Sequence, residues 1–510
     1  MVATLLRTLT SGLQDERLKY AVQPNPAMFT KVFVRAGRFT SQWVRLDFNQ
    51  LPTFGTSATV DLIRKGHFIT RLFLVSSLPD IATAQAAAQV EAGTAQVAPK
   101  FAYTNDVGHA LVANAEMTIS GTIVDRLNSQ LLEAIDEFGT SLEKVPAVDR
   151  LIGRMDTGYS PTTGLGAMDP NPTVTVPLPF WFARGDSGCA LPIDAMGSDL
   201  VQLRITFRSF NGLFYTDSRN TAPVNPLIDG SALWPLVGST LYKADPGGSV
   251  VPGLDPLNPS STWSPLTAKM PSSPALTLGE TYILAEYIYV DRPEANKFRM
   301  ADLQIPVVQH YTIEPFDSQT LPEVQIPIRV PNPTKTMYIY PRRYEVAAYN
   351  AHFLATRDLS GAGYPLAPWW PNAVGLGGQV APLRLIPAFA LQDSEPIAAM
   401  TFAYEANFAR WATQSPALFR SVVPGPSFTK SPWINRYLYA IPFGLNSPPT
   451  VPLGEANLDK LRRAELRLQF SAQRGCTNPM QVDRYWVQVY LETFNILRVY
   501  GSRGSMLFSY

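Results

Sequence analysis

Gly185-Asp186-Ser187-Gly188 has the residue types of a nucleophilic serine on a turn. Such a serine works only with a histidine base and an orienting acid in hydrogen-bond reach. The chain has four histidines, His67, His109, His310 and His352, and none stands in a context that supplies that base. The tetrapeptide therefore reads as turn residues. The overlapping Arg184-Gly185-Asp186 would suit integrin adhesion if an exposed loop tip held its cation and anion apart. It adjoins Phe180-Trp181-Phe182, which should be buried, so a structural role is favoured. A metal held on a β scaffold needs a His-x-His pair with a further Glu and His. No two histidines here lie within forty positions of each other. His109 is expected to make structural hydrogen bonds within a strand turn.

Glu133, Asp136 and Glu137 are the one carboxylate cluster that suggests paired acid and base work on a glycoside. On an amphipathic helix such residues usually form the solvated face, and that is the expectation here. Gly375-Leu376-Gly377-Gly378 lacks the Lys and Ser or Thr of a phosphate loop. Asn258-Pro259-Ser260 and Asn332-Pro333-Thr334 come near the N-glycan acceptor pattern, but proline in the middle position blocks both. Pro368-Trp369-Trp370-Pro371 fits a sugar-stacking platform or a buried anchor, and anchoring or subunit contact is the favoured reading. Cys189 and Cys476 stand nearly 300 positions apart, outside any CxxC spacing, and read as two reduced thiols. No catalytic, cofactor-binding or metal-binding residue is assigned. Neither a cofactor nor an enzymatic activity is expected.

The elements that carry these residues are mostly strands. Val201, Leu203, Ile205 and Phe207 alternate with polar residues, as do Ala464, Leu466, Leu468 and Phe470, and Ala115, Met117 and Ile119. Period two marks a sheet with one buried face. One helix is expected, with Leu127, Leu131, Leu132, Ile135 and Phe138 at helical spacing, Asn128 near its start and Gly139 after it. It should lie on a sheet edge or plug the end of a barrel. Residues 81–98 are rich in Ala and Gln and read as a short helix or loop. Residues 211–273 far exceed the usual connection of ~4–6 residues and read as an elaborate outer loop. Many short strands between Pro-rich turns fit a sandwich or jelly roll.

Length and charge bound the class. A chain of 510 residues exceeds the ~250–300 at which single cores stop growing, so two modules are expected. The 45 prolines and 33 glycines favour short elements and frequent turns. Lys and Arg number 42 against 41 Asp and Glu, with no dense basic block, so direct nucleic-acid binding is not expected. The first twenty residues lack a secretory apolar core, Val2 excludes myristoylation, and no apolar run of ~18 residues appears. Synthesis and use in the cytosol are the expectation.

Ordered segments across nearly the whole chain resemble the major capsid proteins of nucleocytoplasmic large DNA viruses. These are Asn25 to Thr40, Phe54 to Pro79, and Tyr103 to Asp125 around Val107-Gly108-His109-Ala110-Leu111, followed by the helix above. Next come Val176 to Ile193, with its Leu-Pro-Phe-Trp-Phe, and Tyr282 to Phe298, with Tyr-Ile-Tyr. Val489 to Tyr510, with Asn-x-Leu-Arg and a Gly-rich end, closes the series. The family's usual Ile-Gly-Gly is Ile119-Ser120-Gly121 here, and its charged run after Tyr-Ile-Tyr is Asp291-Arg292-Pro293-Glu294. The resemblance implies an all-β double jelly roll of two eight-stranded antiparallel sandwiches with long insertions and few short helices. It divides the chain into an N-terminal arm at 1–24, a first jelly roll at 25–314 and a second at 315–510. It further implies a homotrimer with a pseudo-hexameric outline that tiles an icosahedral shell. Minor capsid and penton proteins are its implied neighbours, the arm reaches toward an internal membrane layer, and assembly takes place in the host cytoplasm. The alternatives are a lower-copy capsid paralogue and an outer, glycan-binding attachment protein of the virion.

Overall fold

In the computed structural model the description covers Thr4, Arg7 and residues 37–81, 101–154, 172–216, 240–244, 263–267, 277–319, 321–343, 352–353, 395–405, 408–425, 427–432, 436–444, 454–471, 482 and 485–508. The arm at 1–24, most of the first-strand match at 25–40, nearly all of 81–98 and most of 211–273 fall outside the described residues. So do the Trp-rich and Gly-rich segments at 368–371 and 375–378, the Asn258 position and Cys476.

Period-two sequences become strands. In order the first are β1 (Phe39–Asp47), β2 (Ser57–Asp61), β3 (Phe68–Ser77), β4 (Phe101–Tyr103), β5 (Val112–Ile119), β6 (Thr122–Asn128), β7 (Thr173–Pro177) and β8 (Val201–Phe207). Then follow β9 (Phe214–Thr216), β10 (Thr240–Ala244), β11 (Trp263–Thr267), β12 (Thr281–Val290), β13 (Leu303–Thr312), β14 (Phe316–Asp317), β15 (Glu323–Pro327) and β16 (Thr334–Arg343). The last are β17 (Ile397–Tyr404), β18 (Phe408–Thr413), β19 (Tyr439–Pro442), β20 (Glu465–Phe470), β21 (Tyr485–Tyr500) and β22 (Arg503–Met506). Helices are short: α1 (Val107–Leu111), α2 (Ser129–Gly139), α3 (Val145–Ile152), α4 (Arg292–Met300) and α5 (Ala417–Ser421). The three alternating runs read from sequence bury the expected residues, with Met117, Leu203, Ile205, Leu466 and Leu468 fully enclosed.

The strands form two sandwiches with one topology. The first pairs sheet β1-β12-β3-β7 with sheet β2-β8-β5-β6; the second pairs β13-β21-β16-β19 with β15-β20-β17-β18. When the eight sandwich strands of each are counted along the chain, both give the orders 1-8-3-6 and 2-7-4-5. That repeated order is the double jelly roll. The crossover runs through α4, because β13 pairs along its whole length with β21, the last long strand of the chain. Within the long insertion, β9 pairs with β4 and β10 with β11, all antiparallel.

Three local expectations change. The stretch from Tyr103 to Asp125 is not strand, turn and strand: the five-residue helix α1 sits between β4 and β5. Leu127 belongs to β6, not to the helix. The helix begins at Ser129, where the Asn128 side chain accepts the Leu131 N–H at 2.9 Å and caps the first turn. Helix α2 does not plug a barrel end; its buried face meets the second sandwich. The β5–β6 turn is built on Ser120 and Gly121, both left-handed at φ 49° and 81°. This is the φ pattern of a two-residue primed turn, which glycine fits best at both positions.

Two apolar clusters hold the molecule together. One fills the first sandwich and continues across Val307, Tyr338, Tyr340, Leu438, Ala440, Tyr490, Leu497 and Val499 of the second. The other fills the second sandwich with the alternate residues of the same strands, among them Met337, Ile339, Tyr439, Ile441, Val489 and Leu491. The sheet β13-β21-β16-β19 is thus covered on both faces. This explains why Val487 to Thr493 of β21 are buried without alternation.

Candidate functional site: the seam between the sandwiches

The residues with the most chemistry in the chain are gathered where α1, α2 and α3 meet the second sandwich. Arg154, just after α3, is buried and binds Asp106 Oδ1 at 2.6 Å, Glu133 Oε2 at 2.6 Å, Asp136 Oδ2 at 2.7 Å and Asp149 Oδ1 at 2.9 Å. Glu137 Oε1 lies 3.5 Å away. From the second sandwich Arg436 reaches Asp106 Oδ2 at 3.0 Å and Glu133 Oε1 at 3.7 Å, while Lys430 Nζ stands 3.5 Å from Glu137 Oε2. His109, on α1, shares a 2.8 Å hydrogen bond between its Nδ1 and Glu133 Oε2.

Glu133, Asp136 and Glu137 are therefore not a solvated face. Glu133 and Glu137 have no exposed surface, and their stripe on α2 points into the seam. His109 also departs from expectation, since its partner is this helix and not its own turn. A signal for the burial stood in the sequence. Residues 129–139 contain no Lys or Arg, so the carboxylates have no cation at helical spacing, as a solvated stripe usually has. Their cations come from Arg154 and from Lys430 and Arg436, about 300 positions away, which no local pattern reveals.

The electrostatics follow from this geometry. Burial raises the Glu133 carboxyl, but Arg154, the His109 hydrogen bond and Arg436 outweigh it and hold the group below the usual carboxylate range. Asp136 is lowered because Arg154 likewise outweighs its burial. Glu137 is raised: burial dominates, neighbouring Glu133 adds to it, and neither carboxylate oxygen has a hydrogen bond. A guanidinium fills the centre where a cation ligand set would converge. Among the described residues no group of three His, Cys, Asp or Glu side chains is arranged to hold a metal ion.

A second node lies beside it. Arg184 turns inward, donating from Nη1 to Glu492 Oε1 at 2.7 Å and lying 2.6 Å from His310 Nε2 through Nη2. His310 is fully buried with its Nδ1 at 3.1 Å from both oxygens of Asp125. With Arg184 donating to Nε2, the proton of neutral His310 sits on Nδ1 and faces the carboxylate. Asp186 is used by its own turn, accepting the Gly188 N–H at 2.8 Å. The Arg184-Gly185-Asp186 cation is thus consumed by β21, and Ser187 lies in a short helical turn capped by Asp186. Further ties cross the seam: Tyr490 Oη donates to Gln130 Oε1 at 2.9 Å, and Phe138 O accepts the Thr429 N–H at 3.1 Å. This arrangement locks two modules together, and its cations and carboxylates neutralise one another without a free reactive group.

Comparisons with known proteins agree with the topology. A family model described as "Major capsid protein N-terminus" matches residues 27–237. The major capsid protein of Frog virus 3 (isolate Goorha) is 22% identical over 484 residues, covering 91% of this chain and 89% of that protein. "Probable capsid protein 4" of Acanthamoeba polyphaga mimivirus is 26% identical over 209 residues, 41% of this chain, and the match spans only 38% of that protein's length. Among solved structures, the PBCV-1 virus capsid aligns with a TM-score of 0.65 at 15% identity, over 95% of this chain and all of that one. The Faustovirus major capsid protein aligns with a TM-score of 0.61 at 11% identity, over 94% and 93%.

Proposed function

We propose, from the premise that this chain belongs to the major capsid proteins of the nucleocytoplasmic large DNA viruses, that it trimerises into pseudo-hexameric capsomers that tile an icosahedral shell. Its role is that of a structural protein of the virion, not an enzyme. The observation that carries the finer reading is the repeated 1-8-3-6 and 2-7-4-5 strand order. Two modules of one topology in each of three copies give six similar corners, and a near-hexagonal tile packs a flat lattice without gaps. Rigid fixation of the modules is a requirement of such a tile, and the doubly buried sheet and the Arg154 and Arg436 network meet it.

The domain division belongs to the same proposal. We place the start of the second module at β13, not at residue 315, because β13 pairs with β21. The arm at 1–24 contacts minor capsid proteins or the membrane-side layer, penton proteins adjoin the capsomer at the shell vertices, and assembly takes place in the host cytoplasm. Subunit contacts of an obligate trimer bury about 2,000 Å² or more. Analytical ultracentrifugation of the purified chain tests the proposal: a trimer at micromolar concentration is expected, and a stable monomer there overturns it.

A further inference from the structure

Beside the ionic network the seam holds a cavity of about 550 Å³. Ligand pockets usually measure ~300–1,000 Å³ and combine apolar walls with a few placed polar groups. Leu132, Ile135, Val148, Pro177 and Phe428 supply apolar wall, and Gly139 and Thr429 are exposed at the rim. Arg184, Lys335, Tyr338 and Glu492 line it as well, and Lys335, Tyr338 and Glu492 are buried, so the charged end is the deep one. There two cations face a single lining carboxylate. The other lining carboxylate, Asp136, is held by Arg154 at 2.7 Å. Burial lowers the Lys335 ammonium, Arg184 lowers it further, and Glu492 acts in the opposite direction. An added negative charge is therefore favoured at this end, while the apolar walls lead outward to the rim.

We infer that the cavity binds a single-chain anionic amphiphile of the fatty-acid class, its head beside Lys335 and Arg184 and its chain along Ile135, Leu132 and Phe428. Both sandwiches line the cavity, so the occupant would act as a wedge or a filler in the joint between them. This goes beyond shell-building and does not depend on the oligomeric state.

The test uses the purified full chain with dodecanoate as probe, and dodecyltrimethylammonium as the probe of opposite charge and equal chain. Dodecanoate at about a hundred times its Kd should raise the melting temperature by about 2 °C, and the cationic probe should not. Lys335→Met should weaken dodecanoate binding by about tenfold or more, read by calorimetric titration. Ile135→Trp should fill the cavity and abolish binding, with folding checked by circular dichroism. Equal binding of the two probes, no binding of dodecanoate up to its solubility limit, or unchanged binding in a folded Ile135→Trp protein each overturns the inference. Should Lys335→Met fail to fold, the head-group comparison on the unaltered chain decides alone.

Discussion

Arg154 is the residue on which the seam turns. It neutralises carboxylates from α1, α2 and α3 in a region without water, and removing one partner of a buried ionic group leaves the others uncompensated. Arg154→Met should cost about 3–5 kcal/mol, a large share of the ~5–15 kcal/mol by which folded proteins are stable. Urea unfolding followed by tryptophan fluorescence measures it. A loss under 1 kcal/mol would show that the network carries little of the fold. His352 sets a second expectation. Its Nε2 donates to the Gly212 carbonyl at 2.7 Å, and burial, with Arg208 and Arg342 nearby, lowers it to about 3 from 6.5. The unfolded chain takes up this proton first, so the contribution is complete above pH 6.5 and is lost as the pH falls toward 3. The slope is about 1.4 kcal/mol per pH unit over that window. Glu133, Asp136 and Glu492, held low by their cations, add acid sensitivity below the ordinary carboxylate range of ~4. His352→Gln should flatten the stability profile between pH 4 and 6 while leaving the steeper fall at lower pH.

At the scale of elements, α1 is the tightest fit. A Cβ on Gly108 would stand 3.0 Å from the Cα and O of Ile152 at the end of α3, and 3.1 Å from Val176 on β7. Helix α1 lies against α3 and β7 only because this position has no side chain. Gly108→Ala should destabilise by about 1–3 kcal/mol through forced separation of backbone from backbone, read as a drop in melting temperature without loss of β-sheet signal. The strands themselves were legible in sequence, because one buried face imposes period two, and β5, β8 and β20 obey it. Helix α1 was not legible. Five residues give less than two turns of periodicity, and all five are buried, so no amphipathic contrast marks them. The solvated face assigned to α2 failed for a related reason. A helix packed on a neighbouring module through charge looks in sequence like one facing water, and only its missing cations separate the two. The turn at Ser120 and Gly121 shows the reverse. A resemblance noticed as a departure from Gly-Gly becomes a conformational fact, since both positions have positive φ.

At the scale of the molecule, the sheet β13-β21-β16-β19 decides how the two modules behave. Tyr338, Tyr340, Tyr490 and Leu438 face the first sandwich, and Met337, Ile339, Tyr439 and Leu491 face the core of the second. Separating the modules would expose the first set to water. Each large side chain buried there is worth about 1.5–3 kcal/mol in apolar transfer alone. Arg184 and Arg436 would lose Glu492 and Asp106, leaving charges of both signs without partners in the parted faces. Neither module therefore has a stable folded state in the absence of the other, although each has a complete set of eight strands. Scanning calorimetry of the full chain, under reversible conditions and with the oligomeric state held constant, should show one transition whose calorimetric and van't Hoff enthalpies agree for the unit that melts. Arg436→Met should lower that transition without splitting it. Two resolved transitions in the unaltered chain would mean that the jelly rolls fold as separate beads, and the rigidity required of a two-module tile would have to come from contacts between subunits.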